Sequence, residues 1–309
     1  MSERIHKKNS SRERHIPEYL PYIPYLRFGD CIGNGHFSHV YLGKYHNAET
    51  VAVKLIERGS AHLIQNEVTL LKALKDKSPH IVQLYEIIQK EETLLVFEYV
   101  KSIPIDNFFA DVTVSKFRYV VKSVLEALEA AHKLGIVHRD VKLGNIMISS
   151  DFKTVKLIDW GCGCFVSDDM SPKAGSRHCR PPEMLMGITD YGTGCDIWAV
   201  GIFIMFVLTN MEIPWKAKTS NDTLIRMSEY FGGNELDRIA DKLGIRLSER
   251  VDEAFADEPE KSLESSFDKN FHFLFDPDLI DLMKTLLNPD LSKRPTAHEA
   301  LQHPFFKKM

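Results

Sequence analysis

The sequence predicts an α+β protein of two lobes: a small antiparallel sheet with one helix, then a larger, mainly helical lobe. Three observations lead there. Between residues 26 and 99 the apolar residues fall in short β-branched runs such as TVAVKLIE and TLLVFEYV, with one helix-spaced stretch among them. Beyond Ile105 the runs lengthen into helical stripes. The chain has 309 residues, 44% hydrophobic and 27% charged, enough for a sizeable core in one large domain or two lobes.

The elements follow in order. Residues 1–25 form an arm with five Lys/Arg against two Glu in its first fifteen positions, then IPEYLPYIPYL, whose three prolines oppose regular structure. The expectation is a disordered arm that lies down on the folded body through Tyr19, Tyr22 and Tyr25. The small lobe spans 26–99. In it YLRFGDCIGNGHFSHVYLGKY puts short strands on either side of a glycine turn, and HLIQNEVTLLKALK, with Leu63, Val68, Leu71 and Leu74 near helical spacing, supplies the helix. A hinge is expected at 100–104 and the large lobe at 105–309. There VSKFRYVVKSVLEALEAAHKLG carries Phe117, Val121, Val124, Leu128 and Ala131 on one stripe and stops at Gly135. CDIWAVGIFIMFVLTN is apolar nearly all round, as expected of a helix buried in the middle of that lobe. Residues 216–275 are less regular, contain the acidic VDEAFADEPEKSLE, and are expected to form a surface insert.

Several function classes are disfavoured by composition. No run of about 18 apolar residues occurs, so no membrane span is expected. The polar, basic N-terminus lacks the apolar core of a signal peptide, and an intracellular protein is expected. A net charge of -4 gives no ground for direct nucleic-acid binding. Cys31, Cys162, Cys164, Cys179 and Cys195 include no CxxC pair and read as free thiols in a reducing compartment.

Chemistry begins at GNGHFS, starting at Gly33. A dinucleotide-binding turn would open a helix, but FSHVYLGKY continues as a strand, so the turn is the tip of a hairpin whose glycines let main-chain N–H groups approach phosphates. Lys54 sits in the apolar strand VAVK, where an ammonium needs anionic partners. Glu67, thirteen residues on in the helix, and a phosphate beneath the glycine turn would supply them. GIVHRDVKLGNIMIS then brings Asp140, Lys142 and Asn145 into one loop. A carboxylate can orient a hydroxyl and accept its proton, an ammonium can offset charge on a moving phosphoryl group, and an amide oxygen can help hold Mg²⁺. Fourteen residues after Asn145, Asp159 in KLIDWGCG adds a hard oxygen ligand.

In this order the residues resemble the eukaryotic protein kinase family from about Leu26 to Met309. Ile32, Gly33, Asn34, Gly35, His36, Phe37, Ser38, His39 and Val40 stand where the glycine-rich loop over ATP belongs. Lys54 and Glu67 match the family's ion pair, and HRDVKLGN its catalytic loop. Asp159-Trp160-Gly161 replaces Asp-Phe-Gly, and Pro181-Pro182-Glu183 replaces Ala-Pro-Glu. Arg294 stands where that glutamate's buried partner belongs, and Asp196 where a residue braces the catalytic loop. The resemblance implies a bilobal kinase using ATP and Mg²⁺, with Asp140 and Lys142 catalytic, Asn145 and Asp159 on the metal, and Ser/Thr as acceptor because of Lys142. A kinase-shaped scaffold without turnover would lack at least one of Lys54, Asp140, Asn145 or Asp159, and none is missing.

Within the family, GNGHFSHVY, KAGSRHCRPPEML and HPFFKKM resemble the cell division cycle seven kinase, which licenses replication origins. LVFEYV and LIDWG resemble the catalytic subunit of casein kinase II, though the lysine-rich stretch beside that enzyme's small-lobe helix is replaced here by RGSAHLIQNE. The first resemblance is favoured. It implies a role in cell division and DNA replication, a nuclear rather than cytoplasmic location, and an activating regulatory subunit. The second implies a constitutive housekeeping kinase. Both imply substrates with acidic Ser/Thr sites, for which Lys173, Arg177, His178 and Arg180 supply charge. Ser167, Ser171 and Ser176 lie in the stretch before Pro181, where a phosphate could be clamped by Arg139 or imitated by Asp168 and Asp169.

Overall fold

Val51, Val53 and Leu55 alternate with Ala52 and Lys54, and this period of two builds the central strand of a sheet. The computed structural model describes residues 20–34, 38–56, 61–255 and 258–307, without the side chains of 61–63. It divides into two compact units, Met1–Ile64 with Gln83–Tyr99, and Gln65–Val82 with Val100–Met309.

The first unit holds an antiparallel sheet. Strands β1 (Leu26–Asn34), β2 (Ser38–Tyr45) and β3 (Glu49–Ile56) are followed in the chain by helix α1 (Ala61–Leu74), β4 (Leu84–Gln89) and β5 (Thr93–Glu98). The spatial order is β1-β2-β3-β5-β4. The β2–β3 turn has His46 and Asn47 at φ 47° and 62°, the left-handed pair that suits the twist of a hairpin. One face buries Tyr41, Val51, Val53, Leu55, Leu94 and Val96 together with Ile23 and Leu26. Of the arm, residues 20–25 are described, and in them Tyr25 but not Tyr22 packs against the sheet. Tyr25 donates to Glu86 Oε1 at 2.9 Å, beside Tyr45, which donates to Oε2 at 2.9 Å. Tyr22 is 82% exposed, and Ile23 enters the core in its place. Tyr19 lies outside the described residues.

In the second unit, from Gln65 onward, α1 buries Val68, Leu70, Leu71 and Leu74. Helices α2 (Ile105–Asp111) and α3 (Val114–His132) follow, the latter capped by Thr113 Oγ1 accepting from Lys116 N. The whole expected stripe of α3, Phe117 to Ala131 at spacings of three and four, is buried. Two small sheets come next. Strand β6 (Ile136–Val137) pairs with β9 (Cys164–Phe165), and β7 (Ile146–Ile148) with β8 (Val155–Leu157). After α4 (Pro182–Leu185), helix α5 (Gly194–Leu208) is buried nearly all round, as its sequence predicts.

Residues 216–275 contain more regular structure than expected. Helices α6 (Ser220–Phe231) and α7 (Gly233–Lys242) bury Leu224, Met227, Leu236 and Ile239, pairs at the spacing of three that a helix places on one face. Trp215 and Phe231 pack at a tilt against Trp198 of α5, with ring centroids 6.1 and 5.7 Å away, so this segment shares the core. The unit ends with α8 (Glu249–Asp252), α9 (Pro277–Leu286), α10 (Ala297–Ala300) and α11 (Pro304–Lys307). Among the described residues no helix is long and apolar enough to cross a membrane.

Candidate active site

The loop between β6 and β7 is set by its backbone. Buried Asp196, from the first turn of α5, accepts from His138 N (2.8 Å) and His132 Nε2 (3.0 Å) on Oδ2, and from Arg139 N (2.7 Å) on Oδ1. Burial alone would push this carboxyl up. The hydrogen bond and charge of His132, with His138, hold it below the usual range instead. Arg139 is thereby fixed at φ 66°, a left-handed conformation that a non-glycine residue keeps only when its surroundings impose it. His138 Nδ1 accepts from Asp140 N at 3.2 Å, so its proton is on Nε2, which donates to Ile158 O at 3.0 Å.

This frame holds Asp140 with both oxygens occupied. Oδ1 accepts from Ser176 N (3.0 Å) and Ser176 Oγ (2.9 Å), while Oδ2 accepts from Lys142 Nζ (2.6 Å) and Asn145 Nδ2 (3.1 Å). Lys142 also donates to Ser176 Oγ at 3.1 Å. Asp140, Lys142 and Asn145, singled out from the sequence, therefore form one hydrogen-bonded cluster. Ser176 completes it, although the sequence marks that residue only as a phosphorylation candidate. Its neighbour Gly175, at φ 65°, is the signal that was available: a Cβ there would collide with the Arg139 carbonyl oxygen, so the chain can approach the loop only at a glycine.

Asn145 Nδ2 also donates to Asp140 O at 2.8 Å, which turns Oδ1 away, without a hydrogen bond among the described residues. Asn145 O accepts from Ile158 N at 2.9 Å, next to Asp159, whose exposed carboxylate is, like the Asn145 amide oxygen, a hard donor of the kind that suits Mg²⁺. No group of three or more His, Cys, Asp or Glu able to hold a metal occurs among the described residues. Asp159 is at φ 60°. A Cβ on Gly161 would stand 3.3 Å from Asp159 Oδ1 and 3.4 Å from Glu67 Oε2, so two carboxylates flank that glycine. Glu67 itself is buried in α1.

Trp160 is fully buried, with its ring 4.6 Å from that of His138 and its indole N–H without a partner among the described residues. With no partner for the N–H among the described residues, the ring acts here through its bulk. Shrinking such a core ring costs about 1–3 kcal/mol of packing. Trp160→Phe is therefore expected to bind inhibitors that need this segment flipped roughly tenfold more tightly, as measured by Kd; equal Kd in the two proteins would refute it.

In the first unit the glycine-rich hairpin is a strand pair, with Gly33 opposite Val40 and Asn34 opposite His39. Asn34 Oδ1 lies 3.0 Å from both Cys31 Sγ and His39 Nδ1, bracing the mouth of the hairpin. Ile32 is exposed and Ser38 opens β2. Gly35, His36 and Phe37 lie outside the described residues. A Cβ on Gly33 would make only ordinary contact with Val40, at 3.5 Å, so packing within the protein does not demand glycine there. Lys54 lies on β3 between Val40 of β2 and Leu95 of β5.

Beyond Asp140, the charges around His178 are cationic. Arg180 donates to Ala174 O and Gly175 O, each at 2.8 Å, and to Lys173 O, while Arg177 donates to Lys218 O. Carbonyls satisfy these forks without neutralising them. Burial and the neighbouring Lys216, Arg177, Arg180 and Lys142 hold His178 below its usual pKa. Among the described residues, Lys173, Arg177, Arg180, Lys216 and Lys218 make no ion pair with a carboxylate. The five cysteines are free thiols. Burial pushes Cys179 up to about 12 and raises Cys162 and Cys164 as well, which makes poor nucleophiles of them.

Residues 26–306 match the protein kinase domain family. Casein kinase II subunit alpha' of Saccharomyces cerevisiae (strain ATCC 204508 / S288c) is 30% identical over 282 residues, which cover 89% of this chain and 83% of that one.

Proposed function

This chain belongs to the eukaryotic protein kinase family as an ATP-dependent serine/threonine kinase that uses Mg²⁺, and we propose that it phosphorylates acidic sites with Asp140 as proton acceptor. The observation that carries the proposal is the unneutralised cation cluster of Lys173, Arg177, Lys216 and Lys218 beside Ser176 and Asp140. An acidic or phosphorylated residue flanking the acceptor would supply the missing counter-charge.

In this reading the carboxylate of Asp140 orients the substrate hydroxyl and takes its proton. Four donors already occupy its oxygens, about all that a carboxylate accepts. The hydroxyl therefore takes the position that Lys142 leaves when its half-exposed ammonium turns to the transferring phosphoryl group. Ser176 and Asn145 keep the carboxylate in place meanwhile. Asn145 Oδ1 and Asp159 would hold Mg²⁺, which when bound offsets charge on the nucleotide phosphates. Lys54 and Glu67 are assigned to nucleotide positioning, and residues 32–40 to covering the phosphates, for which Gly33 leaves room.

The proposal extends to control of cell division and DNA replication, an activating regulatory subunit and a nuclear location, supported by GNGHFSHVY, KAGSRHCRPPEML and HPFFKKM. A second reading, a constitutive kinase of the casein kinase II type, is favoured by the yeast relative and by LIDWG. Affinity purification from the native cell separates them, through a replication-specific activating subunit or a small zinc-containing dimer. Substrate class is tested on a peptide array with ATP and Mg²⁺. Acidic flanking residues are expected to be preferred, and the Arg177→Ala/Lys216→Ala double variant to raise KM for an acidic peptide roughly fivefold to tenfold, less at high salt. Preference for basic or proline-flanked sites would overturn the acidic reading.

A further inference from the structure

Many kinases order the segment after the metal-binding aspartate by pairing a phosphorylated residue with arginine. In this chain the arginine next to the catalytic aspartate already has other partners. Arg139 Nε donates to Cys162 O at 2.6 Å, Nη2 points at Gly163 O at 3.5 Å, and Nη1 donates to Tyr191 Oη at 3.4 Å. The Tyr191 hydroxyl in turn donates to Ser171 O at 2.8 Å. Both directions are unambiguous, because a guanidinium only donates and a carbonyl only accepts.

The same stretch is anchored on either side of that bond. Met170 N donates to Thr189 O at 3.1 Å, and Thr189 Oγ1 donates to Asp168 O at 2.8 Å. Met170 is buried with Tyr191, Met184, Cys195 and Val137. Asp168 and Asp169 are exposed and make no ion pair among the described residues, so neither stands in for a phosphate on Arg139. Further along, Gly175 abuts the Arg139 carbonyl and Ser176 holds Asp140.

We propose that Tyr191 is a positioning residue, whose hydroxyl bridges Arg139 and the Ser171 carbonyl and holds the 162–176 segment on the catalytic loop without any phosphate group. Turnover then needs no phosphorylation of Ser167, Ser171 or Ser176. Burial pushes the Tyr191 phenol up, with Arg139 pulling the other way, so the hydroxyl keeps the proton that it donates. Losing the bridge frees the segment that carries Ser176. The effect falls on the placement of Asp140 and leaves nucleotide binding alone.

The inference rests on Asp140 as proton acceptor, and a fully active Asp140→Asn enzyme would sink that reading separately. The test uses the full chain, treated with phosphatase until its intact mass carries no phosphate. Its kcat is expected within twofold of the untreated enzyme. Tyr191→Phe, which keeps the buried ring, is expected to lose about tenfold in kcat with KM for ATP and Tm unchanged. Arg139→Lys, which keeps the charge but not the fork, is expected to lose kcat in the same selective way. A tenfold loss on phosphate removal, or full kcat in Tyr191→Phe, would overturn the proposal.

Discussion

Asp140→Asn is expected to lower kcat by roughly 10²–10⁴-fold, the range for removing a positioned general base, while the protein keeps its Mg²⁺-dependent thermal stabilisation by ATP. The asparagine preserves shape and can still accept from Ser176 N. It cannot take a proton, and it loses the charge that holds Lys142 Nζ at 2.6 Å. Asp159→Ala is expected to lose both properties, because its exposed carboxylate is assigned to the ion and not to the hydroxyl. The contrast is informative. A protein in which neither variant alters turnover on casein would contradict these assignments, and an Asp140→Asn enzyme that no longer responds to ATP and Mg²⁺ would move Asp140 into nucleotide binding.

The largest effect on stability is expected at Arg294→Ala, a loss of about 3–5 kcal/mol, the cost of leaving half of a buried ion pair unpaired. Arg294 donates Nη1 to Glu183 Oε1 at 2.8 Å and Nη2 to Oε2 at 3.1 Å, and both side chains are 0% exposed. A further bond runs from Nη1 to Gly194 O at 2.9 Å, and the guanidinium lies over Trp198 at 5.2 Å. One side chain thus ties α4, the start of α5 and the loop before α10. Chemical denaturation followed by circular dichroism checks the prediction. Glu183→Gln is expected to cost a similar amount, and the Arg294→Met/Glu183→Leu pair less than the sum of the single changes, since no charge is then left buried alone. Additive losses would mean that the two residues act independently.

The fold was legible where a local period governs. Alternation in VAVKLIE, the stripe of α3 and the all-round apolarity of α5 each state which faces must leave water, and the structure buries those faces. Residues 216–275 were harder, because the buried faces of α6 and α7 mix Leu224, Met227, Leu236 and Ile239 with Thr223, Ser228 and Gly233, which blurs the apolar stripe. The arm was legible only in outline: nothing in IPEYLPYIPYL distinguishes Tyr22, which faces solvent, from Ile23, which enters the core.

Of the candidate site, residue types and their order could be read along the chain. Chemistry limits which side chains can carry a proton, a charge or a hard metal, and HRDVKLGN, Asp159 and the Glu183–Arg294 pair come in a recognisable sequence. Partners could not be read this way. Ser176 binds Asp140 across 36 positions, Tyr191 meets Arg139 across 52, and Arg180 turns to the carbonyls of Ala174 and Gly175. Such bonds depend on where distant segments pass one another. A left-handed glycine at 175 and the packing of Met170 under Tyr191 set that here, and no local pattern encodes it. Linear order carried the kind of chemistry, and packing in three dimensions chose which donor meets which acceptor.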